Sequence, residues 1–326
     1  MRAGGTGETI LPFSPPYSLA GFELAAQTLG DYGKVIMNVG AASSKPANEY
    51  GGENGRMVSP VPPARMYTLG NLQLAAEQDP EPSHVGIVVP DESSFKIMAD
   101  ASENWIDENT EWEVSRVGVP LEASDLSGEV ESFDEAGVDY YMQTGAFGTG
   151  VALASALRRL NIEPLGVYFG YTILNTGIRD SLGSDARGLL GMNWIHEGVE
   201  GETLAASPWD SQSEFVTDIQ DTYESLQYHQ ARAASCQEMA LTALQNGVDW
   251  NNMSFEESMS ADFLVPEILK LSGSSTLQGP VDFNDIGMNT GALAYQFQRQ
   301  DDLNPEVVYP PEEATADPIW PFPGWN

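Results

Sequence analysis

Residues 84–109 read HVGIVVPDESSFKIMADASENWIDEN. The first six form a short apolar run rich in Val and Ile, the composition of a strand covered on both faces. Pro90-Asp91 closes the run, because proline brings no amide to a ladder. Residues 94–109 then read as a helix. A further strand is expected at 112–117. Strand, helix and strand in this order make a right-handed βαβ unit of a parallel sheet.

The same alternation continues in both directions. Strands are expected at 8–11, 34–38, 140–143, 166–169 and 188–193, and helices at 18–29, 64–77, 148–160 and 176–182. Open α/β sheets hold ligands at the carboxyl ends of their strands. The loops that begin at Pro90-Asp91 and Thr144-Gly145 are therefore the natural places for a site. Farther on the chain changes character. Residues 211–247 read as two long helices, 255–271 as another, and 292–297 as a strand. The closing stretch VVYPPEEATADPIWPFPGW (307–325) has too many prolines for a helix or a central strand. It is expected to wrap a surface in extended form.

Charge restricts the setting. The chain has 326 residues, with 48 Asp and Glu against 14 Lys and Arg, a formal net charge of −34. Hydrophobic residues make up 41%, enough for folded cores rather than a disordered acidic segment. Such a surface repels itself in dilute buffer. It suits molar salt, where the Debye length shrinks to about 3 Å, so the expectation is a protein of an extreme halophile. A chain this acidic lacks the basic footprint of a nucleic-acid binder. The single cysteine, Cys236, forms no internal disulfide, and no Cys/His spacing suggests zinc.

Enzyme signatures do not emerge. GxSxG, HExxH and GxxxxGK[ST] are all missing. His84, His196 and His229 lie far apart and read as structural or surface histidines. GAFGTG (145–150) has the wrong spacing for a dinucleotide loop. Asp282, Asn284 and Asp285 resemble part of a calcium loop, but a turn is the better reading. The acidic run 124–135 reads as a solvated loop and helix start. No catalytic residue, metal or cofactor is expected.

The order of several phrases carries a resemblance. LPFSPPYSLAG, VIMNVGAASS, HVGIVVPDESSFKIMAD, AGVDYYMQTGAFGTGVALASALRRLN, DSLGSDARGLLG, YHQARAASCQEMALTAL and GPVDFNDIGMNTGALAYQFQ follow one another along nearly the whole chain. In this order they resemble the type I solute-binding proteins of ABC transporters, in the branched-chain amino acid and amide group. The resemblance implies an α/β fold of two lobes, each a mainly parallel sheet flanked by helices and joined by three hinge crossings. Lobe one takes residues 1–62 and 210–290, and lobe two takes 63–209 and 291–326 with the extended tail. It also implies that lobe one lacks the opening strand–helix–strand unit of the family, as in an N-terminally truncated chain.

The function implied is capture of an amino acid, amide or similar small solute by closure of a cleft, and its delivery to ABC permease subunits. The place implied is the extracellular face of the cytoplasmic membrane, through a lipid tether not present in this chain. A ligand-sensing receptor domain of the same fold is the alternative, and an amide-processing enzyme a third. By the same resemblance Ser14, Ala41 and Ser43 match positions that grip a ligand carboxylate, and Phe95 matches an aromatic that closes over the ligand. Phe147 and Tyr171 follow the strands 140–143 and 166–169 and complete an aromatic cluster suited to an apolar or amide-bearing ligand. Relatives that bind zwitterions place an acid near Tyr171, and this chain reads YFGY (168–171) there. Either Asp91 or Glu92 replaces that acid, or the ligand has no ammonium.

Overall fold

The computed structural model describes residues 19–30, 34–40, 42–53, 55–195, 203–223, 228–250, 253–292 and 294–325. The expected strand at 8–11 lies outside them. The chain divides into two compact units, residues 1–63 with 194–293, and 64–193 with 294–326. The first unit opens with α1 (Leu19–Gly30), β1 (Ile36–Met37), α2 (Ser44–Tyr50) and β2 (Met57–Val58). The chain then enters the second unit and lays down α3 (Leu69–Ala76), β3 (His84–Pro90), α4 (Ser93–Asn109), β4 (Glu113–Val119), α5 (Ser127–Glu135), β5 (Tyr140–Gln143), α6 (Phe147–Leu160), β6 (Gly166–Tyr168), α7 (Gly177–Leu182) and β7 (Leu190–Asn193). It returns to the first unit for α8 (Gln212–Tyr223), α9 (Tyr228–Gln245), α10 (Phe255–Ser258), α11 (Ala261–Leu269), β8 (Ser274–Thr276) and β9 (Gly279–Val281). It ends in the second unit with β10 (Tyr295–Arg299) and β11 (Pro305–Tyr309).

In the first unit, β1 and β2 pair in parallel, with Ile36 opposite Met57 and Met37 opposite Val58. Alternate side chains of a strand point to opposite faces, and here each face meets its own core. Val35, Met37 and Val58 pack with Met239, Ala243, Leu264 and Ile268 of α9 and α11. Ile36 and Met57 pack with Phe22 of α1 and Ala47 of α2. Residues 194–209 belong to this unit, whereas the sequence reading gave them to the second. The reason is apolar. Ile195 shares a cluster with Phe215, Val216, Ala231 and Leu277, with Trp209 packed against it, and Leu204 packs on the α9–α11 core.

Two expected helices are interrupted. The 64–77 segment forms a 3-10 turn at Ala64–Met66 before α3 starts. Between them Thr68 sits buried with its hydroxyl 2.7 Å from that of Ser102. The 255–271 segment splits into α10 and α11, with extended backbone at Ser260. Ser254 and Glu257 cap α10 reciprocally, since the Glu257 carboxylate accepts from the Ser254 amide and the Ser254 hydroxyl accepts from the Glu257 amide. Asn284 closes a turn, its side-chain oxygen accepting from the amides of Ile286 and Met288. Among the described residues no group of acids, histidines or cysteines is arranged to hold a metal, and no helix is long and apolar enough to cross a membrane.

A buried acid ties three segments of this unit together. Glu238 on α9 is almost fully buried and accepts the Leu277 amide at 2.6 Å. Burial pushes its carboxyl up to about 7, against the opposing pull of the amides of Leu277 and Leu204. An acid whose folded value lies above its unfolded value of 4.5 favours folding when protonated. That contribution is present at low pH and is lost as pH rises towards 7. The stability of wild type relative to Glu238→Gln is expected to fall by up to about 3 kcal/mol between pH 4.5 and 7. Thermal melts of both proteins across that range check this, and parallel curves would show that Glu238 ionises normally.

The second unit is built on one seven-stranded sheet in the order β11-β10-β7-β6-β5-β3-β4. Strands β3 to β7 are parallel, and β10 runs antiparallel to both β7 and β11. Every residue of β3 and β5 is buried, as their apolar runs require. From β3 the chain steps outward to β4, then crosses back to β5 on the other side of β3. Right-handed crossovers then place α4 and α6 on opposite faces of the sheet. His84 is structural: its Nδ1 lies 3.1 Å from the Ala136 carbonyl oxygen and its Nε2 2.9 Å from the Ser115 hydroxyl.

The carboxyl-terminal stretch behaves as a proline-rich segment must. Pro305 opens β11, an edge strand, where a missing amide breaks no interior ladder. After a 3-10 turn at Pro311–Glu313 the chain runs extended along the amino ends of the parallel strands. The Phe322 amide donates to the Leu165 carbonyl at 2.7 Å, and the Trp325 indole donates to the Ile162 carbonyl at 2.7 Å.

Candidate functional site

The crossover pattern picks out one place in the second unit. Where neighbouring parallel strands send their chains to opposite faces, a crevice forms at their carboxyl ends. Here those strands are β3 and β5, followed by the loops Pro90–Glu92 and Thr144–Ala146. Gly145 is required for close packing. A side chain there would begin 2.4 Å from the Pro90 ring and 3.1 Å from the ring of Phe95.

Phe95 lies in the first turn of α4 and is buried. Its ring centroid is 6.5 Å from that of Tyr171, in a tilted arrangement favourable for aromatic pairs. Tyr171 lies in the 3-10 turn Gly170–Thr172 beyond β6. Phe147 opens α6, and its ring edge lies 3.2 Å from where a side chain on Gly177 would begin. Phe95 and Phe147 thus meet the same segment, 169–177, at two points. That segment is also fixed from the β5 side. The buried Gln143 donates through Nε2 to the Phe169 carbonyl at 2.6 Å and accepts the Gly145 amide on Oε1 at 2.6 Å. Gln143 escaped the sequence reading, since only its burial at the strand tip reveals the role.

Asp91 and Glu92, the two acids nearest these strand tips in sequence, are both engaged. Asp91 is exposed and pairs with Lys96 at 2.6 Å, which holds its carboxyl below the usual range. Glu92 caps α4, accepting the Ser94 amide at 2.9 Å and the Ser94 hydroxyl. Residues 144–149 and 169–176 contain no Asp or Glu. The strand tips are therefore aromatic and hydroxyl-bearing, without an uncommitted carboxylate.

In the first unit Ser43 is buried at the amino end of α2, and its hydroxyl accepts the Lys45 amide at 3.2 Å. This is the capping role that an ordinary turn serine plays. It leaves the hydroxyl proton available to donate. The backbone before it is anchored by the buried Asn38, whose amide donates to the Ser59 hydroxyl at 2.9 Å and whose carbonyl accepts from Gly40. Ser14 and Ala41 lie outside the described residues.

Comparison with solved structures decides the fold. A leucine-binding protein, LivK, from Thermotoga maritima superposes with a TM-score of 0.74 at 12% identity, over 93% of this chain and 80% of that one. An ABC transporter substrate-binding protein from Desulfitobacterium hafniense, in complex with Leu, gives 0.67 at 15% identity over 91% and 79%. The branched-chain amino acid transporter substrate-binding protein LivJ from Streptococcus pneumoniae, in complex with isoleucine, gives 0.69 at 11% over 91% and 79%. This chain has the type I periplasmic binding protein fold. No family model matches the sequence, and no curated protein does. Identities this low establish the two-lobe α/β architecture and not the ligand.

Proposed function

We propose that this chain is a solute-binding protein of an ABC importer, working at the outer face of the cytoplasmic membrane and serving permease subunits. The solute is a small amphipathic organic molecule of the amide or carboxylate class. Its apolar part is taken by Phe95, Phe147 and Tyr171 of the second unit. The fold shared with leucine- and isoleucine-bound proteins supports the binding role. The observation that carries the ligand class is the pairing of Phe95 with Tyr171 beside two acids already engaged by Lys96 and by the α4 cap.

An ammonium buried there would lack a partner, which costs several kcal/mol. Calorimetry in about 3 M KCl with leucine, 4-methylpentanoate and 4-methylpentanamide tests this. The latter two keep the leucine skeleton and lack its ammonium. At least one of them is expected to bind about tenfold or more tightly than leucine. Tyr171→Glu is expected to reverse the preference. Leucine binding as tightly as both others would overturn the ligand class, and no binding by any of the three would overturn the solute-binding role.

A further inference from the structure

We propose that Arg299 is the positioning residue of the 170–176 loop and thereby sets how tightly the second unit's strand tips hold their ligand. This rests on the solute-binding reading above. Arg299 ends β10, where its amide donates to the Leu189 carbonyl and its carbonyl accepts from Gly188, so its backbone is locked in the sheet. The side chain is 4% exposed. Its guanidinium donates through Nη2 to the Ile173 carbonyl at 2.7 Å and the Asn175 carbonyl at 2.9 Å, and through Nη1 to the Leu303 carbonyl at 2.7 Å.

Among the described residues no carboxylate pairs with it, in a chain that carries 48 acids. Burial without a carboxylate disfavours the charged form, which pulls its ionisation down to about 10. A charge kept in such a place is held by its hydrogen bonds, and those from a cation to a carbonyl are stronger than neutral ones. The planar fork, with five donors in fixed geometry, holds carbonyls of two separate segments through two of its nitrogens. The acceptor on the far side is itself in a costly conformation. Leu303 has φ of +65°, unusual for a bulky residue.

The clamp fixes the loop from the side opposite to Gln143. Gln143 holds Phe169, Arg299 holds Ile173 and Asn175, and Gly191 leaves room for the loop to pass, because a side chain there would begin 2.4 Å from Ile173. Tyr171 stands between these points of attachment, against Phe95. A loop held at both ends presents its aromatic side chain without an ordering cost on binding.

The test uses the full chain in molar KCl with Arg299→Met and Arg299→Lys. Hydrogen exchange followed by mass spectrometry reads the loop, and calorimetry with leucine, 4-methylpentanoate and 4-methylpentanamide reads binding. In Arg299→Met, amides of 170–176 are expected to exchange about tenfold faster or more, while β3 and β5 stay protected. The Kd of whichever probe wild type prefers is expected to rise about tenfold or more. Arg299→Lys is expected to rescue neither, since one ammonium cannot span the three carbonyls. Unchanged loop exchange, acceleration spread evenly over the sheet, full rescue by lysine, or an unchanged Kd would each overturn the positioning role. A wild type that binds none of the three probes would overturn the solute-binding reading, and the ligand role of Arg299 with it. A wild type that binds beside a variant that binds equally well overturns the role of Arg299 alone.

Discussion

Lowering KCl from about 3 M to about 0.1 M is expected to unfold this protein, because the Debye length then grows to about 10 Å. Fourteen cations cannot neutralise 48 acids, even when each one pairs. Cations described in ion pairs include Lys45 on Glu23, Arg159 on Asp125 and Arg187 on Asp301, each neutralising one acid. Arg299 and Arg232 are buried and relieve little at the surface. Two like charges 10 Å apart in water repel by about 0.4 kcal/mol before screening. A few dozen such pairs, even partly screened, approach the whole stability of a domain, about 5–15 kcal/mol. Circular dichroism melts across a salt series read the effect. Most of the recovery is expected between about 0.1 and 1 M, where the Debye length falls to about 3 Å. An unchanged melt at low salt would show that the acids are too far apart to matter. A transition confined to several molar salt would assign the effect to hydration of the surface instead.

The parts of the fold that could be read from sequence are those with a strong local signal. HVGIVV and YYMQ are short apolar runs that only a doubly covered strand explains, and they became β3 and β5. The helix after β3 was legible because it follows a proline-terminated strand and precedes another strand. Elements set by tertiary contact were not legible. The strand β11 hides between Pro305 and Pro310, and only its edge position makes those prolines harmless. The break between α10 and α11 depends on extended backbone at Ser260.

The site follows the same division. Tyr171 could be proposed from its place after a strand and Phe95 from the family resemblance, and the structure sets their rings 6.5 Å apart. Gln143 and Arg299 could not, because their partners are backbone groups, an amide and a carbonyl for Gln143 and three carbonyls for Arg299. For Arg299, two of those lie more than 120 residues upstream. Glu238 was equally hidden, one acid among 48 with nothing local to mark it as buried.

Deleting residues 317–326 is expected to abolish cooperative folding of the second unit, and Phe322→Ala alone to lower its Tm by roughly 10 °C. The segment is extended and proline-rich, so it forms no element of its own and is held by the sheet it covers and by the loops beside it. Trp320 lies over Tyr140, with ring centroids 5.8 Å apart, and its indole donates to the Pro80 carbonyl at 2.9 Å. Gly166 is a glycine because these two rings leave nothing else room: a side chain there would begin 2.4 Å from Tyr140 and 2.9 Å from Trp320. Phe322 is buried, with its ring centroid 4.6 Å from that of Trp325 in a tilted arrangement. Gln298 of β10 reads the segment from the sheet, accepting the Ile319 amide at 2.6 Å and donating to its carbonyl at 2.9 Å. Truncating one buried aromatic such as Phe322 costs about 3 kcal/mol or more, and the deletion also removes the half-buried Trp320 and Trp325, which brings the loss towards the scale of a domain's stability. The loss would also bare the amino ends of β5 and β6, where the Trp320 ring lies against Tyr140 and Gly166. Thermal melts of Phe322→Ala, Trp320→Ala and the deletion, in the same molar salt, separate the contributions. A deletion that melts as wild type does would mean that the sheet's lower edge is closed by other contacts. The strand tips that carry Phe95 and Tyr171 lie at the opposite ends of the same strands, so Phe322→Ala is expected to leave the Kd of a folded sample within about twofold of wild type.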